Sequence, residues 1–190
     1  NEFLFRAPPS MAQSLANAGI DVVSLANNHM MDYGSAALRE TLTVLGKQGI
    51  AHAGGGLNLT AARQRAVLER KGVRVAFLAY VDADTLPGTN HFAATQSTAG
   101  LPFVRADAKH CPDTATMAML ETDLIAARED AELIAVSFHW GPECRTRPST
   151  FQVQLAHRTI DLGADLVIGH HPHYLQGIEV YHGKPILYSL

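Results

Sequence analysis

The chain has 190 residues, 47% of them hydrophobic, and a formal net charge of −3 with the histidines neutral. Length and composition predict one globular domain with an ordinary core. The charge balance excludes the basic surface typical of nucleic-acid-binding proteins, and no apolar run approaches the roughly 20 residues of a membrane-spanning helix. The first residue is Asn1, so we expect a fragment whose missing start carried any signal or anchor. Cys111 and Cys144 could form a disulfide, but two free thiols are the simpler interpretation.

Short apolar runs, typical of buried strands, alternate along the chain with amphipathic patterns typical of helices. The predicted strands span 20–25, 73–81, 133–138 and 165–169, followed by a hairpin of 177–181 with 185–189. The predicted helices span 10–17, 35–47, 61–69, 114–128 and 149–162. Ser149 and Gln152 have the spacing of a capping box at the start of the last helix. The alternation predicts an α/β architecture with a partly mixed sheet.

Two segments lack such patterns. Residues 52–58 contain three consecutive glycines without the Lys-Ser/Thr of a phosphate-binding loop, which favours a plain loop with a turn. Residues 82–109 are rich in Gly, Pro, Thr and Asn, and we expect a mobile segment or a rim over a functional site. Its Asp82, Asp84 and His91 could reach a substrate, although exposed loop residues are the more ordinary interpretation.

The largest cluster of candidate functional residues follows the apolar run 166–168 and consists of His170, His171 and His173. The carboxyl ends of strands are where open α/β sheets bind ligands. Pro172 fixes its own backbone and restricts His171, so the spacing of the two flanking histidines is rigid. Neutral imidazole is the commonest protein ligand of metals such as zinc, iron, manganese and nickel. The pattern therefore favours a metal site over a histidine-rich loop.

Two other predicted strands also end in polar residues. Asn27, Asn28 and His29 follow the first strand, and His139 follows the strand at 133–138. Separately, the asparagines are typical of a turn and His139 of a buried histidine. If the strands are neighbours in one sheet, the clusters converge on one edge, as in metal sites built from distant parts of a sequence.

Four motifs in this order resemble the bacterial capsule-synthesis (CapA-type) proteins, which include the poly-γ-glutamate biosynthesis component. They are Leu25-Ala26-Asn27-Asn28-His29 with Asp32-Tyr33-Gly34, His139-Trp140-Gly141-Pro142-Glu143, Gly169-His170-His171-Pro172-His173, and Tyr188-Ser189-Leu190. The resemblance covers nearly the whole chain. It implies a calcineurin-like metallophosphatase sandwich, in which helices flank mixed β-sheets, with residues 1–190 as a single domain incomplete at both ends.

The resemblance also implies roles for individual residues. The implied metal ligands are Asn28, His139, His171 and His173. His29 is the implied catalytic histidine, which contacts the phosphoryl or leaving-group oxygen, and Asp32 orients it. The implied substrate-binding residues are Asn27, Glu143 and His170, although a solvated loop carboxylate describes Glu143 about as well.

The sequence departs from the family pattern at both ends. The family's Gly-Asp and Asn-Leu-Glu motifs, which supply carboxylate ligands, and its Gly-Asn-Phe motif are not present. We therefore expect two divalent ions (Mn, Fe, Zn or Mg) in the full-length protein but one or none here, unless Asp32 or Glu143 replaces the missing carboxylates.

The function implied is capsule biosynthesis through a metal-dependent phosphoester hydrolase with a dinuclear centre. The alternative is a non-catalytic metal-binding component of anionic polymer synthesis or export. The expected substrate is an anionic small molecule or polymer, with other capsule-synthesis components as partners and the cell envelope as location. A metal-dependent amidohydrolase barrel is a weaker third class, because its His-x-His pair normally lies on the first strand.

Overall fold

The computed structural model describes residues 3–85 and 90–190. Its helices are α1 (Met11–Asn17), α2 (Gly34–Lys47), α3 (Leu59–Ala62), α4 (Thr114–Asp130) and α5 (Thr150–Asp161). Its strands are β1 (Val22–Ser24), β2 (Ala51–Ala53), β3 (Ala66–Arg70), β4 (Val73–Asp82), β5 (Phe103–Val104), β6 (Leu133–His139), β7 (Leu166–His170), β8 (Ile178–Tyr181) and β9 (Lys184–Leu187). No helix in the described ranges is long and apolar enough to cross a bilayer.

Seven strands form the main sheet in the order β3-β4-β6-β7-β9-β8, with β5 also paired to β4. The central strands β4, β6, β7 and β9 are parallel, whereas β3 and β8 run antiparallel at the two edges. A separate pair, β1 and β2, is parallel. The predicted α/β architecture with mixed sheets is confirmed, and the open strand order differs from a closed barrel.

Strand β4 divides the core, because its side chains alternate between two hydrophobic clusters. Leu78 and Tyr80 join the cluster under α4 and α5, and Ala79 and Val81 join the cluster under α2. A strand covered on both faces is apolar almost throughout, as the sequence of β4 is. The parallel centre of the sheet is thus fixed between two helical layers.

The predicted helices at 35–47, 114–128 and 149–162 are confirmed as α2, α4 and α5. The capping box of α5 is present, since the Ser149 hydroxyl accepts from Gln152 N and the Gln152 side chain accepts from Ser149 N. Helix α1 follows Ser10 as predicted, but the Ser10 side chain makes no capping hydrogen bond.

One local prediction was wrong, and another was correct except for its first boundary. The helix predicted over 61–69 is instead the single turn of α3 followed by β3, which pairs antiparallel with β4 through a turn at Lys71 and Gly72, both with positive φ. The loop predicted over 52–58 is confirmed for residues 54–58, whereas residues 52 and 53 belong to β2, which pairs with β1. In both cases the sequence pattern of a short segment was weak, and hydrogen bonds to a partner strand determined its secondary structure.

The segment at 82–109 is better anchored than expected. Leu101 and Val104 are buried, and β5 pairs with the end of β4. Asp82, Asp84 and Thr85 line a cavity beside His171, so this part forms the predicted rim. The predicted mobility stays a prediction, and residues 86–89 lie outside the described residues.

Candidate metal centre

The register of the sheet brings the polar clusters together. Val81 of β4 pairs with His139 of β6, which pairs with His170 of β7, so three parallel strands end side by side. Residues 27–29, which follow β1, meet this edge through Asn28. The predicted convergence of separate clusters on one sheet edge is therefore present.

One part of the site, here called the inner group, consists of Asn28, Ser137, His139 and His170. His139 Nε2 lies 3.0 Å from Asn28 Oδ1, and His139 Nδ1 lies 2.7 Å from His170 Nδ1. The second nitrogen of His170 lies 2.9 Å from Ser137 Oγ. Ser137 and His139 are buried. Hydrogen bonds thus hold the His139 ring on both sides.

Burial keeps these imidazoles neutral. Desolvation, followed by the neighbouring histidines, lowers the pKa of His139 to about 2, and desolvation with His171 lowers the pKa of His170 to about 4. Desolvation also lowers the pKa of His171. A neutral imidazole is the form that coordinates a metal, so the protein has these ligands ready at physiological pH.

The other part, here called the outer group, consists of Glu143, His171 and His173, whose ligand atoms lie within 4.8 Å of one another. His173 Nε2 lies 4.0 Å from Glu143 Oε1, and both side chains are exposed. His171 and His173 have φ angles of 106° and 59°, which non-glycine residues adopt rarely. A residue before proline usually lies in the extended region with negative φ, so the backbone at His171 is strained.

His171 connects the two groups. Its ring centroid lies 4.5 Å from that of His139 and 5.9 Å from that of His173. His171 Nδ1 is buried without a hydrogen-bond partner among the described residues. A buried polar atom without a partner is costly and rare, and a metal ion is a common reason for one.

The donor set suits divalent metals. Two ligand atoms about 2.1 Å from one ion and at a right angle to each other lie about 3.0 Å apart, and this is the distance between Asn28 Oδ1 and His139 Nε2. Imidazole, carboxylate and amide donors together suit the borderline and hard divalent ions. The residues present therefore fit the metals that the fold implies.

His29 lies next to the inner group and is oriented by Asp32. Its Nδ1 is 2.9 Å from Asp32 Oδ2, which also accepts a hydrogen bond of 2.8 Å from Phe5 N. The Phe5 ring packs edge-on against the His29 ring at 4.4 Å between centroids. Asn27 Oδ1 accepts from His29 N at 2.8 Å, which closes the turn. The Asp32 carboxylate is thus directed at His29 and not at the outer group.

Gly169 allows the close packing under this edge. A Cβ there would lie 2.1 Å from Tyr188 O and 2.4 Å from Trp140 Nε1. The buried Trp140 ring donates a 2.9 Å hydrogen bond to Tyr188 O. Any larger residue would displace this layer, on which His139 and His170 rest.

A cavity of about 500 Å³ opens beside the outer group, and His171 and Glu143 belong to its wall. Asp82, at the end of β4, is a further wall residue and only 2% exposed. For Asp82, the more ordinary interpretation of the sequence, an exposed loop residue, was wrong. Its position directly after a long apolar strand could have indicated that it is buried.

Each residue predicted for the site can now be located. Asn28, His139, His171 and His173 converge, with His29 and Asp32 beside them. Glu143 lies with the histidines as a further ligand candidate. Asn27 and His170 are engaged within the protein, Asn27 through its side-chain oxygen and His170 through both ring nitrogens, so their predicted contact with substrate stays a prediction. Cys111 and Cys144 are both free thiols and do not form a disulfide with each other.

Comparison with known proteins connects this geometry to a family. The chain is 36% identical over 177 residues to "PGA biosynthesis protein CapA" of Bacillus subtilis (strain 168), covering 93% of the chain and 43% of that relative. It is 32% identical over 184 residues to "Capsule biosynthesis protein CapA" of Bacillus anthracis, covering 97% of the chain and 42% of that relative. The chain thus spans less than half the length of these relatives.

A crystal structure of a protein assigned as a 5′-nucleotidase from Staphylococcus aureus, in complex with α-ketoglutarate, superposes with a TM-score of 0.57 at 15% identity. The superposition covers 96% of this chain and 37% of the other. At this identity the likeness concerns the fold alone, and the fold is that of the calcineurin-like metallophosphatases. The profile of the family "Bacterial capsule synthesis protein PGA_cap" matches residues 1–190, and the chain belongs to this family of capsule synthesis proteins.

Proposed function

We propose that this protein is a metal-dependent phosphoester hydrolase that acts in capsule polymer synthesis. The observation that carries the proposal is the meeting of Asn28, His139 and His171 at one sheet edge, beside a histidine paired with a carboxylate. An isolated metal site needs no such neighbour. A hydrolase needs a group that exchanges a proton with the leaving oxygen.

We propose two ion positions. Asn28, His139 and His171 would hold one ion, and Glu143 and His173, with His171 between the groups, would hold another. Divalent ions in such positions supply charge neutralisation at a phosphoryl group and a water of lowered pKa.

The chain's own contribution to proton transfer is His29. Because Asp32 engages Nδ1, the ring orientation is fixed and Nε2 is the nitrogen that can present a proton. In the protonated ring, Asp32 balances the positive charge and Nε2–H can donate to the leaving oxygen. The buried Asp32 side chain and the Phe5 N–H hold this pair in place.

The inner group holds the His139 ring in place. If the Nε2 lone pair of His139 faces an ion, its Nδ1–H donates to His170 Nδ1. His170 then carries its proton on Nε2 and donates it to Ser137 Oγ. The contacts of His170 and Ser137 agree with this direction when an ion takes the Nε2 lone pair. Without an ion, His139 Nε2–H donates to Asn28 Oδ1 and the donors run in the opposite direction. In both cases His170 and Ser137 fix the His139 ring, so we assign them a positioning role.

The biological setting is proposed from the relatives. Their names place them in capsule or PGA synthesis. We propose an anionic substrate, association with other capsule-synthesis components and a location at the cell envelope.

The test is hydrolysis of bis(p-nitrophenyl) phosphate with added Mn²⁺. We expect metal-dependent release of nitrophenol that falls by about 10²–10⁴-fold in His29→Ala, the usual contribution of a positioned acid or base. The control is His91→Ala, because His91 is exposed, packs edge-on against Phe92 and is not among the residues of the cavity wall or the outer group. Retained metal without hydrolysis, across several phosphoesters, would favour the non-catalytic metal-binding component.

A further inference from the structure

The cavity beside the outer group is lined by residues that could bind part of a substrate. Glu143 and His171 contribute to both the outer group and the cavity wall, so a molecule that reaches the metal centre can also extend into the cavity. The volume of about 500 Å³ is within the range of small-molecule sites. The cavity is therefore placed to hold a part of the substrate that does not react.

Asp82 is the most buried charged group of this wall. Its Oδ1 accepts from Asp84 N at 3.0 Å and its Oδ2 from Gly141 N at 3.3 Å. Among the described residues, no lysine or arginine forms an ion pair with it. Burial raises the pKa of Asp82 to about 6, so the carboxyl is largely ionised at neutral pH with only two backbone donors. A buried carboxylate in this state lacks a cationic partner.

The charges around Asp82 have the same sign. The exposed Asp84 and Glu143 also line the cavity, and within the described ranges its wall includes no lysine or arginine. The histidines of the wall are His171, a candidate metal ligand, and the exposed His110. The wall therefore favours a group that carries positive charge and several hydrogen-bond donors.

The start of α5 forms another part of the wall. Ser149, Thr150 and Phe151 line the cavity where the amino end of the helix opens onto it. The N–H groups and dipole of a helix start favour an anion. The cavity wall thus combines carboxylates with a helix start that favours an anion, and together they suit a molecule with both charges.

We propose that this cavity binds a primary ammonium group of the substrate, held by Asp82 and Asp84, while the phosphoryl group of the same molecule lies at the metal centre. The substrate class is thus an amine-bearing phosphoester. This inference rests on the proposed function for the phosphoryl part. An ammonium group offers three donors and a compact charge, which match the two carboxylates.

The test compares O-phosphoethanolamine with 2-hydroxyethyl phosphate, which differ only in the ammonium group. Binding of each to the Mn²⁺-supplemented protein is measured by isothermal titration calorimetry near neutral pH. We expect O-phosphoethanolamine to bind about tenfold more tightly or better, the value of a charge-assisted hydrogen bond to a buried carboxylate. Equal affinity for the two compounds in the unmodified protein overturns the proposal.

Variants locate the effect. Asp82→Asn and Asp84→Asn should each reduce the preference, whereas Glu121→Gln, an exposed carboxylate on α4, should retain it. Circular dichroism checks the fold of Asp82→Asn, and the exposed Asp84 provides a variant that does not disturb the core. A folded Asp82→Asn with the full preference overturns the assignment to Asp82.

Phosphate release from the same two compounds separates the proposals. If the protein binds O-phosphoethanolamine more tightly but releases phosphate from no ester, the cavity assignment is supported and the proposed hydrolase activity is contradicted. If the protein releases phosphate but binds both compounds equally, the hydrolase activity is supported and the cavity assignment is contradicted.

Discussion

The inner and outer groups hold similar ligands in opposite ways. In the inner group, His139 is buried and hydrogen bonded through both ring nitrogens, at 2.7 and 3.0 Å. In the outer group, the side chains of His173 and Glu143 are 69% and 58% exposed, and His173 Nε2 lies 4.0 Å from Glu143 Oε1. The first is positioned by sheet strands and the second by a loop. The difference suggests that the inner ligands are preorganised, whereas a bound ion or substrate completes the outer ones.

Removal of His139 should give the largest effect. His139→Ala leaves Asn28 and His170 without their shared partner, so we expect the free energy of unfolding to fall by about 2–4 kcal/mol. Metal binding and hydrolysis should be lost with it. Denaturant unfolding and metal analysis after dialysis measure both, with His91→Ala as control. Unchanged stability would show that the inner group is no more preorganised than the outer group.

Substitution of the carboxylate behind His29 should affect rate alone. Asp32→Asn keeps the size of the side chain but removes the charge that balances a protonated His29, so we expect activity to fall by about 10–100-fold. The retained metal should be unchanged, because Asp32 contacts His29 and Phe5. Steady-state kinetics with metal analysis would test this. Loss of metal in Asp32→Asn would place Asp32 among the ligands.

Acid should destabilise the metal-free protein through the inner group. The folded pKa values of His139 and His170 are lowered from 6.5 to about 2 and about 4, so below about pH 6.5 the unfolded chain binds protons that the folded chain does not. Stability is therefore complete above this pH and decreases as the pH falls towards 4, by up to about 1.4 kcal/mol per pH unit for each histidine.

Asp82 opposes this trend. Its folded pKa is raised from 3.8 to about 6, so its contribution is present below 3.8 and is lost as the pH rises through 6. With two histidines against one carboxyl, we expect a net loss of stability on acidification, measured by thermal unfolding with a chelator between pH 7 and 4. His139→Ala should reduce the slope, and an unchanged slope would contradict the assignment.

The outer group should give the smallest change in stability. His173→Ala and Glu143→Gln remove exposed side chains, so we expect the free energy of unfolding to change by at most about 0.5 kcal/mol. Metal analysis should distinguish the two groups. We expect one equivalent of metal per chain to remain after dialysis, and we expect Glu143→Gln to retain it. Two tightly held equivalents would show that the outer group is as well organised as the inner group.

The predictions from sequence succeeded where a pattern was long or chemically constrained. The alternation along β4 and the apolar faces of α2 and α4 were sufficient to place these elements. They failed at β3, where a short segment of mixed propensity was taken as a helix, because pairing with β4 lies outside the segment's own sequence. Asp82 was assigned to an exposed loop for a similar reason, since burial depends on which elements cover a residue.

The sequence by itself determined the fold class, the family and the identity of the clustered ligands, because periodicity and motif spacing are local properties of the chain. Only the tertiary structure decided which ligands are buried, that Ser137 and His170 fix the orientation of His139, and that Asp82 faces the same cavity as His171. These relations arise from the register of three parallel strands, in which Val81, His139 and His170 become neighbours. Such contacts join residues far apart in sequence, so no local pattern specifies them.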